Sequence, residues 1–235
     1  KAVTASGRYA INPLYQKPCD PFMPGATSET VNGFPEVQRM SDFVLRNWSN
    51  CPGRPGKGCH EEYHFADVDP PLRAYGNFYG TSDHDIVHAI KAAVAVLQDR
   101  TPPAPFSIRD KKEALFLLAH LLGDLHQPLH AGKRDDLGGN RVSVHWFRQV
   151  EATNLHTVWD SLLIDQENLS FTEWTRFIDD ATEADMKQWQ SSSYTTWMEE
   201  SYKLRDRCYD FKPELPLSYE YVYKSMPIVK QRLLQ

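Results

Sequence analysis

No stretch of eighteen apolar residues occurs in the 235-residue chain, so no segment is expected to cross a membrane as a helix. No C-x-x-C spacing occurs, which removes the ligand pattern of a zinc ribbon. The H-x-x-x-H pair His84 and His88 has Asp85 after its first member, where a zinc metalloprotease needs Glu as general base, so a helix-surface pair is the expectation. The formal net charge is −5, which excludes a duplex binder that works through a broad basic surface. The opening residues lack the apolar core of a signal peptide, so the sequence reads as a mature or trimmed chain. Histidine is missing from the whole C-terminal third: all nine lie between His60 and His156. Scattered surface histidines would not segregate in this way.

What is present starts with Ala114–Gly132, a helical pattern of Leu, Ala and Phe that carries His120 and Asp124, breaks near Pro128 and then presents His130. Residues four apart in a helix lie one above the other, so His120 and Asp124 point the same way from an apolar wall. An imidazole and a carboxylate embedded together need compensation. For one such pair a buried His–Asp hydrogen bond is the ordinary explanation. The spacing recurs at His156 and Asp160, again among apolar neighbours, and two His-x-x-x-Asp pairs plus His130 point to a multinuclear metal site. His126, just before the break, is expected to orient a ligand through its other ring nitrogen. His60 and His145 have no partner pattern and are expected to be structural or exposed.

Four cysteines are few but even in number, and Cys51 and Cys59 bracket a Pro/Gly-rich loop. Disulfides, and with them a secreted or periplasmic compartment, are the expectation, paired Cys51–Cys59 and Cys19–Cys208 out of three possible pairings. Asn47 and Asn168 begin glycosylation sequons, informative only in a eukaryotic source.

The chain reads as a single, mainly α domain over residues 1–235, multi-helical with long loops and at most a short β-hairpin. Residues 1–35 read mostly as loop. A helix is expected from about Glu36 to Trp48, with Asp42 inside it, and a second from Asp83 to about Asp99, capped by Thr81 or Ser82. Ser107 is expected to cap the central helix. Gly138-Gly139-Asn140 reads as the turn of a loop or hairpin with Val142 and Val144 alternating. Three further helices are expected at about 171–190, 191–207 and 217–234.

His64-Phe65, His120-x-x-x-Asp124-x-His126-Gln127-Pro128-Leu129-His130, Gly138-Gly139-Asn140 and Asn154-Leu155-His156-x-x-x-Asp160 occur in that order. This resembles the zinc-dependent single-strand-specific nucleases, the S-one/P-one nuclease family, which share a fold with bacterial zinc phospholipase C. The match runs from about Asp42 to Leu163, and G-D-x-H-Q-P-L-H is its most specific part. The resemblance implies a phospholipase C/P-one nuclease-like fold and a cluster of two or three zinc ions. Asp42, His64, His120 and Asp124 would hold one ion, His130, His156 and Asp160 a second, and Asp124 would bridge to a third. It implies hydrolysis of single-stranded RNA and DNA to 5′-nucleotides by metal-activated water attacking phosphorus, with 3′-nucleotidase activity. Asp42 would double as a catalytic base. Phe65 would stack on a nucleobase and Asp67 would bond its edge, with His126 and Asn140 supporting ligands from behind. Stacking of this kind needs an unstacked base, hence single strands. Substrate nucleic acid and nucleotides are the partners implied, with no protein partner.

One departure stands at the start. Members of that family begin with a Trp whose amine and carbonyl bind the third ion, whereas this sequence begins with Lys1 and has no His before His60. Its end, K-Q-R-L-L-Q, also stops before the small, apolar finish such a chain would have. The two readings are a chain lacking its ends or an altered third site. Two rival functions remain: a zinc phospholipase C, against which Asp160 (Glu in the lipases) and the Phe65/Asp67 pair weigh, and a non-catalytic zinc-stabilised binding protein. Nitrogen and oxygen ligation leans to zinc over manganese.

Overall fold

The computed structural model describes residues 59–68 and 82–235. The expected helix around Asp42 and the residues Cys19 and Cys51 lie outside them, as does the side chain of Cys59. The described residues fall into two compact units, one containing 59–64 and 83–123, the other 65–68, 82 and 124–235; the boundary runs between Gly123 and Asp124, inside a continuous helix. The described secondary structure is helical apart from one two-stranded sheet, as the sequence predicts. No helix among the described residues is long and apolar enough to cross a membrane.

In the first unit, helix α1 (Ile86–Leu97) is apolar nearly all round, burying Ile86, Val87, Ala89, Ile90, Ala92, Ala93, Ala95 and Val96. A helix of that pattern belongs inside a core. Its cap is neither Thr81 nor Ser82 but Asp85, whose carboxylate accepts the N–H groups of Val87 and His88 at 3.1 and 3.2 Å. Those are the second and third orphan donors of the helix, and Asp serves them at least as well as Ser or Thr. α1 packs on the 3-10 turn Cys59–His64, where the buried Tyr63 ring meets Phe106 at 4.7 Å. Helix α2 (Lys111–His126) starts after Asp110 rather than Ser107. Asp110 accepts the Glu113 N–H at 2.9 Å, and the buried Glu113 carboxylate reaches back to the Arg109 N–H at 2.6 Å.

In the second unit, the end of α2 leads through Gln127 into a 3-10 turn, Pro128–Ala131. Proline is suited to the first helical position because its missing N–H would be unsatisfied there anyway. Strand β1 (Ser143–Val144) pairs antiparallel with β2 (Thr153–Asn154). The hairpin's reversal therefore lies in residues 145–152. Of the two alternatives expected for Gly138-Gly139-Asn140, the loop is the one formed; it lies before the hairpin and is pressed against the Pro128–Ala131 turn. Helix α3 (155–165) follows at once and contains a π-helical stretch, Val158–Leu162.

The helix expected over 171–190 is two: α4 (Phe171–Ile178) and α5 (Glu183–Ser191). Each has its own capping box, Ser170 with Glu173 and Thr182 with Asp185. A hydroxyl and an acid three residues apart start a helix, and the second such signal interrupts the first helix. α6 (Tyr194–Cys208) and α7 (Tyr219–Leu234) match the two remaining expectations.

Two buried arginines pin these helices to the chain around Pro128. Arg232 of α7 donates to the His126 carbonyl at 3.2 Å and to Ser201 Oγ and the Trp197 carbonyl of α6 at 2.9 and 3.0 Å, while pairing with Glu200 at 2.8 Å. Ser201 in turn donates to the Leu125 carbonyl at 2.6 Å. The last carbonyls of α2, which the helix itself leaves unpaired, are thus capped from α6 and α7. Arg205, 3% exposed, donates from Nη1 to the carbonyls of Val68, Ala131 and Gly132. Cys208 at the end of α6 is a buried thiol, and its expected partner Cys19 lies outside the described residues. Burial pushes that thiol's pKa well up, which leaves it an inert core residue.

Candidate metal centre

His120 and Asp124 lie on successive turns of α2, as the spacing requires, and His120 is buried. His64 closes the 3-10 turn Cys59–His64 and faces His120, Nδ1 to Nε2 3.0 Å, with the rings edge to face at 4.9 Å. Asp124 follows His120 one turn later on the same helix. Asp42, assigned to the same ion by the sequence, lies outside the described residues.

His130, His156 and Asp160 form a second group of the same kind. His130 sits on the Pro128–Ala131 turn and stacks on the His156 ring, centroids 4.9 Å apart. Asp160 offers one oxygen to each imidazole: Oδ1 is 3.2 Å from His130 Nε2 and Oδ2 is 3.5 Å from His156 Nε2. The π-helical stretch carries Asp160, and such local widenings of a helix frequently mark functional sites. His156 Nδ1 lies 2.7 Å from the Gly138 carbonyl. A carbonyl can only accept, so Nδ1 carries the hydrogen and the Nε2 lone pair faces Asp160. Burial lowers the His156 pKa and so favours the neutral imidazole; the nearby Asp160 carboxylate pulls the other way.

The donor chemistry fits zinc. Each group combines two imidazole nitrogens with a carboxylate, and two ligands about 2.0–2.1 Å from a tetrahedral ion lie about 3.3 Å apart. The imidazole–carboxylate separations of 3.2 and 3.5 Å in the second group bracket that edge. The 3.0 Å between the imidazoles of the first is slightly tighter.

The extended segment 65–68 runs along the second group. Ala66 N–H donates to the His130 carbonyl at 2.8 Å and Val68 N–H to the Gly132 carbonyl at 2.9 Å. Ala66 and Val68 are buried, which leaves Phe65 and Asp67 together on the opposite, half-exposed side. That alternation sets side by side the two residues expected to grip a base.

The His126 ring packs 5.4 Å from Trp197, and the Asn140 amide closes its own turn on the Leu137 carbonyl at 2.9 Å. Asp160 is supported by Gln127, whose Nε2 donates to Oδ1 at 2.9 Å while its Oε1 accepts the Leu129 N–H. A polar residue directly before Pro128 was the available signal, because that position is held extended and its side chain can cap the turn. His84 and His88 do not converge on one point: His84 bonds Glu62 and Asp83 at 2.6 and 2.9 Å, and His88 bonds Asp85 at 3.1 Å. His145 is exposed, as expected.

Endonuclease 3 of Arabidopsis thaliana is 34% identical over 143 residues, covering 52% of this chain and 47% of the plant protein. Endonuclease 2 of the same plant is 31% identical over 165 residues, covering 60% and 53%. Nuclease S1 of Aspergillus oryzae is 34% identical over 102 residues, covering 42% and 33%. The chain spans about half the length of the curated plant relatives it matches. The sequence model of S1/P1 nucleases matches residues 49–235, well over half of the chain, and the chain belongs to the S1/P1 nuclease family.

Proposed function

We propose that the protein is a zinc-dependent phosphodiesterase that cuts single-stranded RNA and DNA to 5′-nucleotides and removes 3′-phosphates from nucleotides. The observation that carries the proposal is the group His130, His156 and Asp160, with ligand separations that suit a tetrahedral ion and a carboxylate divided between two imidazoles. Membership of the S1/P1 nuclease family supports the substrate class.

In this reading His130, His156 and Asp160 hold one ion, and Asp42, His64, His120 and Asp124 hold another, with Asp124 available to a third. Zinc held this way brings the pKa of water from 15.7 down to about 7 and neutralises charge on phosphoryl oxygens. Asp42 orients the attacking water as a base. Phe65 stacks on a nucleobase and the Asp67 carboxylate accepts a hydrogen bond from its edge; neither is possible with a base still paired in a duplex, which gives the preference for single strands. The compartment is secreted or periplasmic, a reading supported by the Cys51–Cys59 loop.

The test is elemental analysis of the purified protein alongside digestion of single-stranded and duplex DNA. Zinc together with 5′-nucleotides from the single strand is the expected result. Phosphocholine release from lipid without nucleotide release would make it a phospholipase C, and zinc without hydrolysis of either would make it a binding protein.

A further inference from the structure

We infer that Asp136 is a positioning residue for His156, acting through the single peptide group that joins Gly138 to Gly139. The inference rests on reading His130, His156 and Asp160 as a metal group. The Gly138 carbonyl accepts from His156 Nδ1 at 2.7 Å, and the Gly139 N–H, the other end of the same amide, donates to Asp136 Oδ1 at 2.8 Å. A carboxylate thus acts on the back of an imidazole with one amide in between. Hydrogen bonds linked head to tail polarise one another, so the charge on Asp136 strengthens the carbonyl as an acceptor and, through it, His156 Nε2 as a donor to metal. Many metal-bound histidines have a carboxylate directly behind the ring; this chain puts a peptide in the path.

The amide is fixed in place for that purpose. Gly138 and Gly139 have φ of +60° and +83°, and a Cβ on Gly138 would lie 2.4 Å from the Leu129 carbonyl oxygen. The loop is therefore jammed against the turn that carries His130. Asp136 is held at its far oxygen by the Tyr209 hydroxyl at 2.8 Å. Burial and the adjoining carboxylate push the Tyr209 pKa up, which keeps its hydroxyl a donor. Lys133 lies 4.0 Å over the Tyr209 ring and pairs with Asp206 at 3.1 Å, so the loop is tied to α6 at a second point.

The experiment follows the ring nitrogens of His156 by 15N NMR in the metal-free protein, and zinc affinity by competition with a chelator. In the unsubstituted protein the neutral His156 ring carries its proton on Nδ1; a proton on Nε2 overturns the inference. Asp136→Asn keeps the shape and the acceptor oxygen but removes the charge. It is expected to weaken zinc binding about 10-fold, the low end for an outer partner of a ligand, and to move the Nε2 resonance. Unchanged affinity and unchanged resonances in a folded Asp136→Asn protein overturn the inference, and so does an equal loss in Asp135→Asn, the exposed neighbour. If Asp136→Asn does not fold, the tautomer in the unsubstituted protein decides the matter. Absence of zinc binding in the unsubstituted protein would remove the proposed function, and the tautomer would still judge the link from Asp136 to His156.

Discussion

The two candidate metal groups have the same composition and are built in different ways. In His64, His120 and Asp124, two of the three ligands come from one regular helix, and the i, i+4 geometry of α2 sets their separation without help from any loop. In His130, His156 and Asp160 the ligands come from a 3-10 turn and a π-widened helix. Their positions are set by loop chemistry: Gln127 on Asp160, the Gly138 carbonyl on His156, Arg205 on the carbonyls that follow His130. The first group takes its order from secondary structure. The second takes it from hydrogen bonds that secondary structure leaves over, and it should be the easier of the two to disturb from a distance.

Removing a ligand outright should have the largest effect. Asp160→Ala is expected to lower single-stranded DNA hydrolysis by roughly 1000-fold or more, since metal activation of water is worth many pKa units, and to cost bound zinc by elemental analysis. Retained hydrolysis with zinc lost would remove this group from the reaction. Next comes Arg205→Met, which keeps the stem volume but leaves the Val68, Ala131 and Gly132 carbonyls without their shared donor. The Gly132 carbonyl keeps the Val68 N–H, so two buried acceptors are left unmade at about 1–3 kcal/mol each, and a loss of about 2 kcal/mol or more in denaturant unfolding is expected. The zinc that goes first should be that of His130, the residue whose turn Arg205 holds.

The same contrast explains what could be read in the sequence. His120 with Asp124, and His156 with Asp160, were legible because a helix converts a spacing of four into a shared face. The long helices α1, α2, α6 and α7 were legible for the same reason. Three things were not. The split between α4 and α5 depends on Thr182 and Asp185 forming a capping box inside a region with enough apolar periodicity to read as one helix. The sequence leaves open whether Gly138-Gly139 turns a hairpin or a loop, because two glycines suit either. Their positive φ in fact serves close approach to the Leu129 carbonyl, and a sequence does not distinguish these two uses of glycine. The roles of Arg205 and Arg232 depend on carbonyls far away in the chain, 74 residues for Arg205 to Ala131 and 106 for Arg232 to His126, with no local pattern to mark them.

Two glycine substitutions sharpen the comparison at smaller magnitude. Gly138→Ala adds a Cβ 2.4 Å from a backbone oxygen at a φ of +60°. Strain of that kind costs about 1–3 kcal/mol, and the carbonyl behind His156 must move, so lower stability and weaker zinc binding at this group should appear together. Gly123→Ala is the counterpart in α2, the helix of the other group. A Cβ there meets nothing within 4 Å, and the position is interior to a regular helix. Alanine is favoured over glycine in such a place by roughly 0.5–1 kcal/mol, so the midpoint of denaturant unfolding should rise while zinc affinity stays the same, although His120 and Asp124 flank the site of change. If Gly123→Ala disturbed zinc binding as much as Gly138→Ala, the first group would depend on more than the helix that carries it, and the division between an order set by secondary structure and one set by loops would fail.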